Sequence, residues 1–178
     1  MADAPASSTR KAGGRLREFT AQLAQRLQSA PAAGAGEQRL LVRIGAQDYL
    51  VALAQAAEVV PLPALTPVPW SQPWFRGLAN VRGRLVGAID LQQFAGGTPL
   101  GESEATQLLV FGAALPVNAA LLISRAAGLR DRSRLQPAPP APGPAWCATR
   151  WIDDDGAALA ELDLAALAAD EGFCTIAS

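Results

Sequence analysis

The side chains that could carry chemistry in this sequence are few, and their spacing argues against catalysis. The chain contains no histidine, which removes the commonest general base and the commonest metal ligand together. Cys147 and Cys174, the only two cysteines, lie too far apart for a CxxC site. Asp153-Asp154-Asp155-Gly156 resembles a calcium loop superficially, but it lacks the alternating ligands and terminal glutamate of an EF-hand, and a polar turn explains it better. We therefore expect no catalytic residue, no metal site and no cofactor.

The most distinctive stretch covers residues 65–91, LTPVPWSQPWFRGLANVRGRLVGAIDL. A proline-punctuated loop leads to Asn80-Val81-Arg82-Gly83, where Asn and Gly predict a tight turn between two strands. The turn does not explain Arg82, a large cation between apolar strands. Glu58, in the preceding short strand, is its predicted partner if the two strands are neighbours. An exposed pair contributes only about 0–1 kcal/mol, so we interpret this one as orienting an interaction surface.

Composition and net charge limit the classes of partner that the protein is expected to bind. The chain has 178 residues, half of them hydrophobic, with 15 basic and 16 acidic side chains, so one domain with a tail is expected. The net charge of -1 gives no reason to expect a polyanionic partner. Basic residues concentrate in residues 1–30, and the acidic ones after Ile152, which is typical of two solvated ends of opposite sign.

Short apolar runs separated by turn signals dominate from about residue 40 and indicate β structure. Gly45-Ala46-Gln47-Asp48 predicts the turn of a first hairpin. Pro61 and Pro63 end a short strand, because proline cannot donate to a sheet ladder, and irregular loop is expected up to Pro73. Many short strands with helices only at the ends favour small β-barrels, and the aliphatic content favours two of them packed face to face. The predicted strands cover residues 40–44, 49–53, 58–60, 84–91, 107–112, 118–124, 145–152 and 157–163.

Two helices are expected at the ends of the chain. Residues 1–36 are predicted as a flexible segment that contains an amphipathic helix over about residues 14–30. Its apolar stripe packs either on its own domain or on a partner protein. Residues 164–170 predict a short helix capped by Asp163. Residues 108–123 are apolar, but they are too short for a bilayer span and are broken by Pro116. We therefore expect a turn between two buried strands. The small number of cysteines predicts a cytoplasmic location.

The central stretch resembles the signature of CheW-like adaptor domains. Their pattern is a Val-x-Glu-Val strand, a proline-containing loop, Gly-x-x-Asn-x-Arg-Gly, a hydrophobic strand and Asp-Leu. This chain has Ala56-Ala57-Glu58-Val59, then Gly77-Leu78-Ala79-Asn80-Val81-Arg82-Gly83 and Ile89-Asp90-Leu91, in the same order. The resemblance extends over about residues 38 to 175. It departs from the family at Gly87, Gln92 and Ser124, where proline, arginine and aspartate are frequent.

The resemblance implies a mainly β fold of two SH3-like β-barrel subdomains that share a hydrophobic core, with residues 37–178 as the CheW-like domain. It also implies a non-enzymatic adaptor that binds the cytoplasmic tip of a methyl-accepting chemoreceptor. The second implied partner is the regulatory domain of a CheA-type histidine kinase, itself CheW-like. Within the family the chain looks most like adaptors of type IV pilus, or twitching-motility, systems. Flagellar chemotaxis is the alternative. The adaptor is expected at membrane-associated receptor arrays without being embedded in the membrane.

The resemblance carries a set of expected protein contacts onto this sequence. Glu58, Asn80, Arg82 and Gly83 occupy the signature positions, and Val60 lies on the same strand as Glu58. Trp74 is added because exposed loop tryptophans are enriched among binding hot spots. Trp70, on the other side of Pro73, shares that reasoning, although packing against the barrel would explain either tryptophan.

Two other functions compete with the adaptor. A small β-barrel could bind nucleic acid, but the near-zero net charge and the sparse basic residues argue against that function. A hydrolase using Ser or Asp would need a base, and the sequence offers neither histidine nor a nucleophile elbow.

Overall fold

The computed structural model describes residues 37–101 and 103–177, which form two six-stranded sheets. The predicted amphipathic helix over residues 14–30 lies outside the described residues. Strand order is β10-β11-β12-β2-β1-β9 in the first sheet and β3-β7-β8-β6-β5-β4 in the second. The strands are β1 Gln38–Ile44, β2 Gln47–Ala52, β3 Ala56–Pro61, β4 Leu65–Thr66, β5 Phe75–Val81, β6 Arg84–Ile89, β7 Gln107–Phe111, β8 Ala119–Ile123, β9 Arg125–Asp131, β10 Gln136–Ala138, β11 Arg150–Ile152 and β12 Ala158–Leu162.

The second sheet is built around β8, whose five residues are all buried. Strand β8 pairs antiparallel with β7 and parallel with β6, so both of its edges are satisfied and both faces are covered. A continuous apolar run is the pattern expected of such a central strand. The apolar stretch of residues 108–123 is thus a buried hairpin, as predicted. Within the described residues, no helix is long and apolar enough to cross a bilayer.

An aromatic cluster lies in the core that the two sheets share. Trp74 stacks on Phe173 with ring centroids 6.0 Å apart and meets Phe94 edge-on at 5.1 Å. Phe94 also contacts Trp146, and Phe173 stacks on Phe111. These rings come from distant parts of the chain, so the cluster joins the second sheet to the C-terminal third of the domain.

A smaller core packs on the other face of the first sheet around the buried Trp151. Glu161 accepts hydrogen bonds from Trp151 Nε1 at 2.5 Å and from Arg39 Nε at 2.6 Å. Both charged side chains are almost inaccessible, at 10% and 13% exposure. A buried charge pair of this kind is costly to break, so it fixes the position of β12 against β1 and β2.

Three short helices begin at aspartate caps. They are α1 Leu91–Phe94, α2 Leu164–Ala168 and α3 Glu171–Cys174. The carboxylates of Asp90, Asp163 and Asp170 each accept a hydrogen bond from backbone N–H groups of the first turn, which is the usual N-cap arrangement. Helix α2 matches the predicted C-terminal helix.

Several sequence-based boundaries are corrected by the structure. The strand predicted over residues 145–152 divides into a 3₁₀ turn, Ala145–Cys147, and the shorter β11. The proline-rich segment of residues 137–144 begins inside β10, where Pro137 lies opposite Trp151. Strands β4, β5, β9 and β10 and helices α1 and α3 lie outside the predicted elements. The mainly β fold is confirmed as two sheets, while closure of the sheets into SH3-like barrels stays a prediction.

Asp90 is the polar residue most deeply buried in the described chain, with no exposed surface. Its carboxylate accepts from Leu100 N at 2.8 Å and Gln93 N at 3.1 Å, and it pairs with Arg76 Nη1 at 3.4 Å. It therefore joins the end of β6 to the start of α1 and to the loop before β7.

Replacing Asp90 by Ala should lower the free energy of unfolding by about 2–4 kcal/mol. A lost helix cap costs about 1 kcal/mol, and each buried donor left without an acceptor costs about 1–3 kcal/mol. Urea denaturation measures the change. Asp154→Ala is the matched control, because the Asp154 side chain is 53% exposed and its loss should cost within about 0.5 kcal/mol. Equal effects of the two substitutions would contradict this assignment.

Candidate functional site

The turn between β5 and β6 presents the central motif to solvent. Val81 pairs with Arg84, so Arg82 and Gly83 are the two central residues of a hairpin loop. Their φ angles are 52° and 84°, and positive φ at both positions is the signature of a type I′ turn. Asn80 Oδ1 accepts a hydrogen bond from Gly83 N at 2.9 Å. The predicted turn is therefore present, with Asn80 bracing it from the strand.

Arg82 occupies a backbone conformation that its side chain disfavours. A left-handed φ costs a residue other than glycine about 1–2 kcal/mol, and the first central position of a type I′ turn is normally Asn, Asp or Gly. A residue of this kind persists at a strained position when something other than local stability favours it. The arginine side chain is 63% exposed, which leaves it accessible to another molecule.

The predicted pair between Glu58 and Arg82 is present. Arg82 Nε lies 2.9 Å from Glu58 Oε2. Glu58 Oε2 is buried and accepts no aligned hydrogen bond among the described residues, so the contact is an ion pair with poor hydrogen-bond geometry. The glutamate side chain is only 17% exposed. Glu58 thus contacts the guanidinium from its buried side, while most of the Arg82 side chain stays exposed.

The sequence did not indicate how Glu58 and Arg82 come into contact. Strands β3 and β5 are not neighbours, because β7, β8 and β6 lie between them in the sheet. The ion pair therefore requires the second sheet to curl until its β3 edge reaches the β5–β6 turn. The pairing of β3 with β7 is irregular between Ala56 and Glu58. Irregularities of this kind bend a strand and redirect side chains, here next to the glutamate that reaches the turn.

The exposed side of this turn extends to Arg84 and Leu85, which lie outside the signature motif. Arg84 Nη2 donates to Asn118 Oδ1 at 3.0 Å. Leu85 lies on the strand predicted over residues 84–91, and its side chain is 60% exposed. We call the following set the hairpin surface: Glu58, Asn80, Arg82, Gly83, Arg84 and Leu85.

Two other expected contacts lie apart from the turn itself. Val60 is partly buried and lies two residues from Glu58 on β3, so both side chains project from the same face of the strand. Trp74 is only 9% exposed and packs between Phe94 and Phe173. Its position in the aromatic core removes it from the exposed contacts expected here. The exposed tryptophan of the loop is Trp70, at 86%.

The acidic run after β11 is a turn, as predicted. Asp153 Oδ1 accepts hydrogen bonds from the backbone of Asp155 and Ala157. Asp154 pairs with Arg134 across the surface. Over residues 37–101 and 103–177, no group of His, Cys, Asp and Glu is arranged to hold a metal ion.

Known proteins resemble this chain in sequence and in fold. The family model of the CheW-like domain matches residues 38–172. Protein PilI of Pseudomonas aeruginosa is 31% identical over 88 residues, a segment that spans 49% of each protein. The crystal structure of the scaffolding protein TtCheW from Thermoanaerobacter tengcongensis superposes with a TM-score of 0.61 at 19% identity, covering 72% of this chain and 89% of that one. That structural likeness supports the fold alone.

The chain belongs to the CheW-like domain family. Its fold is mainly β, as the family resemblance implied. Proteins of this family are non-enzymatic scaffolds in chemotaxis-type signalling, and they bind CheA-type kinases and chemoreceptors in general. Family membership therefore assigns the domain to adaptors rather than to catalysts.

Replacing Arg82 by Asn should leave the stability of the domain within about 1 kcal/mol of the original. Asparagine relieves about 1 kcal/mol of left-handed strain, which offsets most of the roughly 1–2 kcal/mol expected when the part-buried carboxylate of Glu58 loses its partner. Thermal and urea denaturation measure the balance.

Gly83→Val is the contrasting variant, because it puts a β-branched residue at φ 84°. No atom lies within 4 Å of the added Cβ, so backbone strain alone should destabilise this variant by about 1–2 kcal/mol. A large loss of stability in Arg82→Asn would instead show that Arg82 is needed mainly for folding.

Proposed function

We propose that this protein is the adaptor that couples a methyl-accepting chemoreceptor to a CheA-type histidine kinase in type IV pilus signalling. The exposed Arg82, held on a strained turn by Glu58, is the observation that carries the proposal. We place the adaptor in the cytoplasm, at the membrane-associated arrays where such receptors cluster. The likeness to PilI over half of each chain favours the pilus system over flagellar chemotaxis.

The hairpin surface is suited to a partner with a carboxylate. A guanidinium that is already oriented loses little side-chain freedom on binding and can form a bidentate contact. Glu58 contacts Arg82 from the buried side and leaves most of the arginine side chain exposed. Arg84 adds a second cation, and Leu85 adds an exposed apolar contact beside it. We infer that Val60 and Asn80 lie at the border of this interface, whether the partner is the receptor tip or the kinase regulatory domain.

We further propose that the second sheet closes as an SH3-like barrel and that the first sheet forms the other subdomain. The contact between Glu58 and Arg82 across three intervening strands supports the closure. Such closure would place the β3 edge against the β5–β6 turn and so make one continuous surface of two distant parts of the chain.

Replacing Arg82 by Asn should weaken binding of the receptor tip or of the kinase regulatory domain at least about tenfold. Loss of a charged hydrogen-bonded contact at the centre of an interface costs more than about 1.4 kcal/mol, which is tenfold in Kd. Isothermal titration calorimetry at two salt concentrations measures the loss, and the remaining salt dependence should be smaller than in the original protein.

Arg134→Asn is the matched control for this experiment. Arg134 is also exposed and also paired with an aspartate, Asp154, but it lies on the first sheet's side of the domain, away from the hairpin surface. Its replacement should leave both affinities unchanged. Normal affinities in Arg82→Asn, or an equal loss in both variants, would contradict the proposed site.

A further inference from the structure

A groove runs along the outer side of strand β9. Residues 125–131 form most of one wall, and residues 153–159, in the turn from β11 to β12, form most of the other. Two cavities of about 420 and 540 Å³ make up the groove, and they are continuous because Arg130 and Asp153 line both of them. We call it the seam groove. It shares no residue with the hairpin surface.

The outer side of β9 is a sheet edge. Strand β9 is the last strand of the first sheet, and among the described strands it pairs with β1 alone. Such an edge presents backbone N–H and C=O groups to other chains, and proteins commonly cover it with a helix or a loop. Gln107 closes the beginning of this edge, because its Oε1 accepts a hydrogen bond from Ala126 N at 2.9 Å. The rest of the strand borders the seam groove.

The floor of the seam groove is apolar, and its rim is charged. Leu41 and Leu159 belong to the small core around Trp151, yet they also line the larger cavity. Ala126 and Ala127 lie beside them and are partly buried. Five aspartates and three arginines complete most of the lining of the two cavities. The seam groove therefore suits an apolar stripe that is flanked by cations.

The negative charge of the rim is concentrated on the turn from β11 to β12. This turn contains Asp153, Asp154 and Asp155, and Arg134 pairs with the second of them. On the opposite wall, hydrogen bonds from the hydroxyl and the backbone amide of Ser133 lower the pKa of Asp131, so this carboxylate is charged at neutral pH. Aspartates outnumber arginines in the lining, which leaves the rim with an excess of negative charge.

The segment before the described residues has the complementary chemistry. Residues 1–30 contain five basic and two acidic side chains. Arg15 and Arg26 are eleven residues apart, which is close to three turns of a helix, so on the predicted helix they lie along one flank of the apolar stripe. That stripe is Leu16, Phe19, Leu23 and Leu27.

The described residues begin beside the seam groove. Glu37 O accepts a hydrogen bond from Arg132 N at 2.7 Å, directly after β9. Gln38 lines the smaller cavity, and its side chain donates to Asp131 Oδ2 at 3.4 Å. Residues 31–36, which precede this point, reach roughly 20 Å when extended. A helix over residues 14–30 is about 25 Å long, close to the roughly 23 Å of the seven-residue β9.

Tethering favours this segment over a second copy of the chain. A linker as short as residues 31–36 gives an effective concentration on the order of millimolar, far above the concentration of a separate molecule in a micromolar solution. An isolated helix of this length is marginal in water, so its stability depends on packing of its apolar face. A modest patch next to its point of attachment is therefore sufficient.

We propose that residues 14–30 form a helix that docks in the seam groove of the same chain, with its apolar stripe on the groove floor and its arginine flank against the aspartates of the β11–β12 turn. The docked helix covers the open edge of β9. This docking is independent of the adaptor function proposed above, because it involves neither the hairpin surface nor another protein.

The test is deuterium uptake by the full chain, read by mass spectrometry. Amides of residues 14–30 should exchange at least about tenfold more slowly than those of an unstructured chain, because exchange follows the local opening equilibrium. The double variant Asp154→Arg with Asp155→Arg should lose this protection, and residues 125–131 should exchange faster as well. Adding Arg15→Asp and Arg26→Asp to that variant should restore protection, because the charges are then complementary again.

Glu104→Arg with Glu171→Arg is the matched control. Both glutamates are exposed and lie outside the seam groove, and their reversal changes the net charge by the same amount. Protection of residues 14–30 should stay unchanged in this variant. Exchange over residues 119–123 in the buried strand β8 reports in each variant whether the domain is folded.

Leu23→Asp is the second variant, and it is decisive if the groove variants do not fold. It lies outside the described domain, so the domain stays folded, and it should release residues 125–131 to faster exchange. Absence of protection over residues 14–30 in the original protein would overturn the proposal. An equal loss in the groove and control variants would also overturn it. Protection that rises with protein concentration, together with a dimer on sedimentation, would assign the seam groove to a second copy instead. Failure to bind either signalling partner would leave these readouts unchanged.

Discussion

The pairing of β5 with β6 is the constraint on which the hairpin surface depends. At one end of the pair, the register between Val81 and Arg84 leaves room for only two residues and forces Arg82 into a left-handed turn. At the other end, the buried carboxylate of Asp90 fixes the exit of β6. A one-residue slip would turn every side chain of β6 to the opposite face, which would bury Leu85 and expose the core residue Val86. The hairpin surface is therefore a consequence of strand register.

Local parts of the fold could be predicted from the sequence because their signals are local. The turn at Arg82-Gly83, the Asp163 cap and the buried strands β7 and β8 each follow from a few adjacent residues. Strand β9 was missed because Arg125, Arg130 and Gly128 interrupt its pattern. Strand β11 and the turn before it were merged into one strand, because Trp146 and Trp151 are similarly apolar although they pack in different cores.

The candidate site could be predicted in its residues but not in its geometry. Glu58 and Arg82 were paired from the motif, yet their contact depends on the curl of a six-stranded sheet rather than on adjacent strands. The two loop tryptophans show the same limit. Trp70 and Trp74 have similar neighbours in sequence, and only tertiary packing decides that Phe94 and Phe173 cover one of them. Exposure of a side chain is a property of the whole fold.

The most direct test of the central claim is amide chemical-shift mapping of the isotope-labelled domain during titration with the receptor tip. The hairpin surface should respond first, with the largest changes at residues 58–60 and 80–85. The first sheet, for example Arg130 on β9 and Trp151 on β11, should stay unchanged. Changes confined to the first sheet, with the amides of Arg82 and Gly83 unaffected at saturation, would contradict the claim that this turn is displayed for a partner.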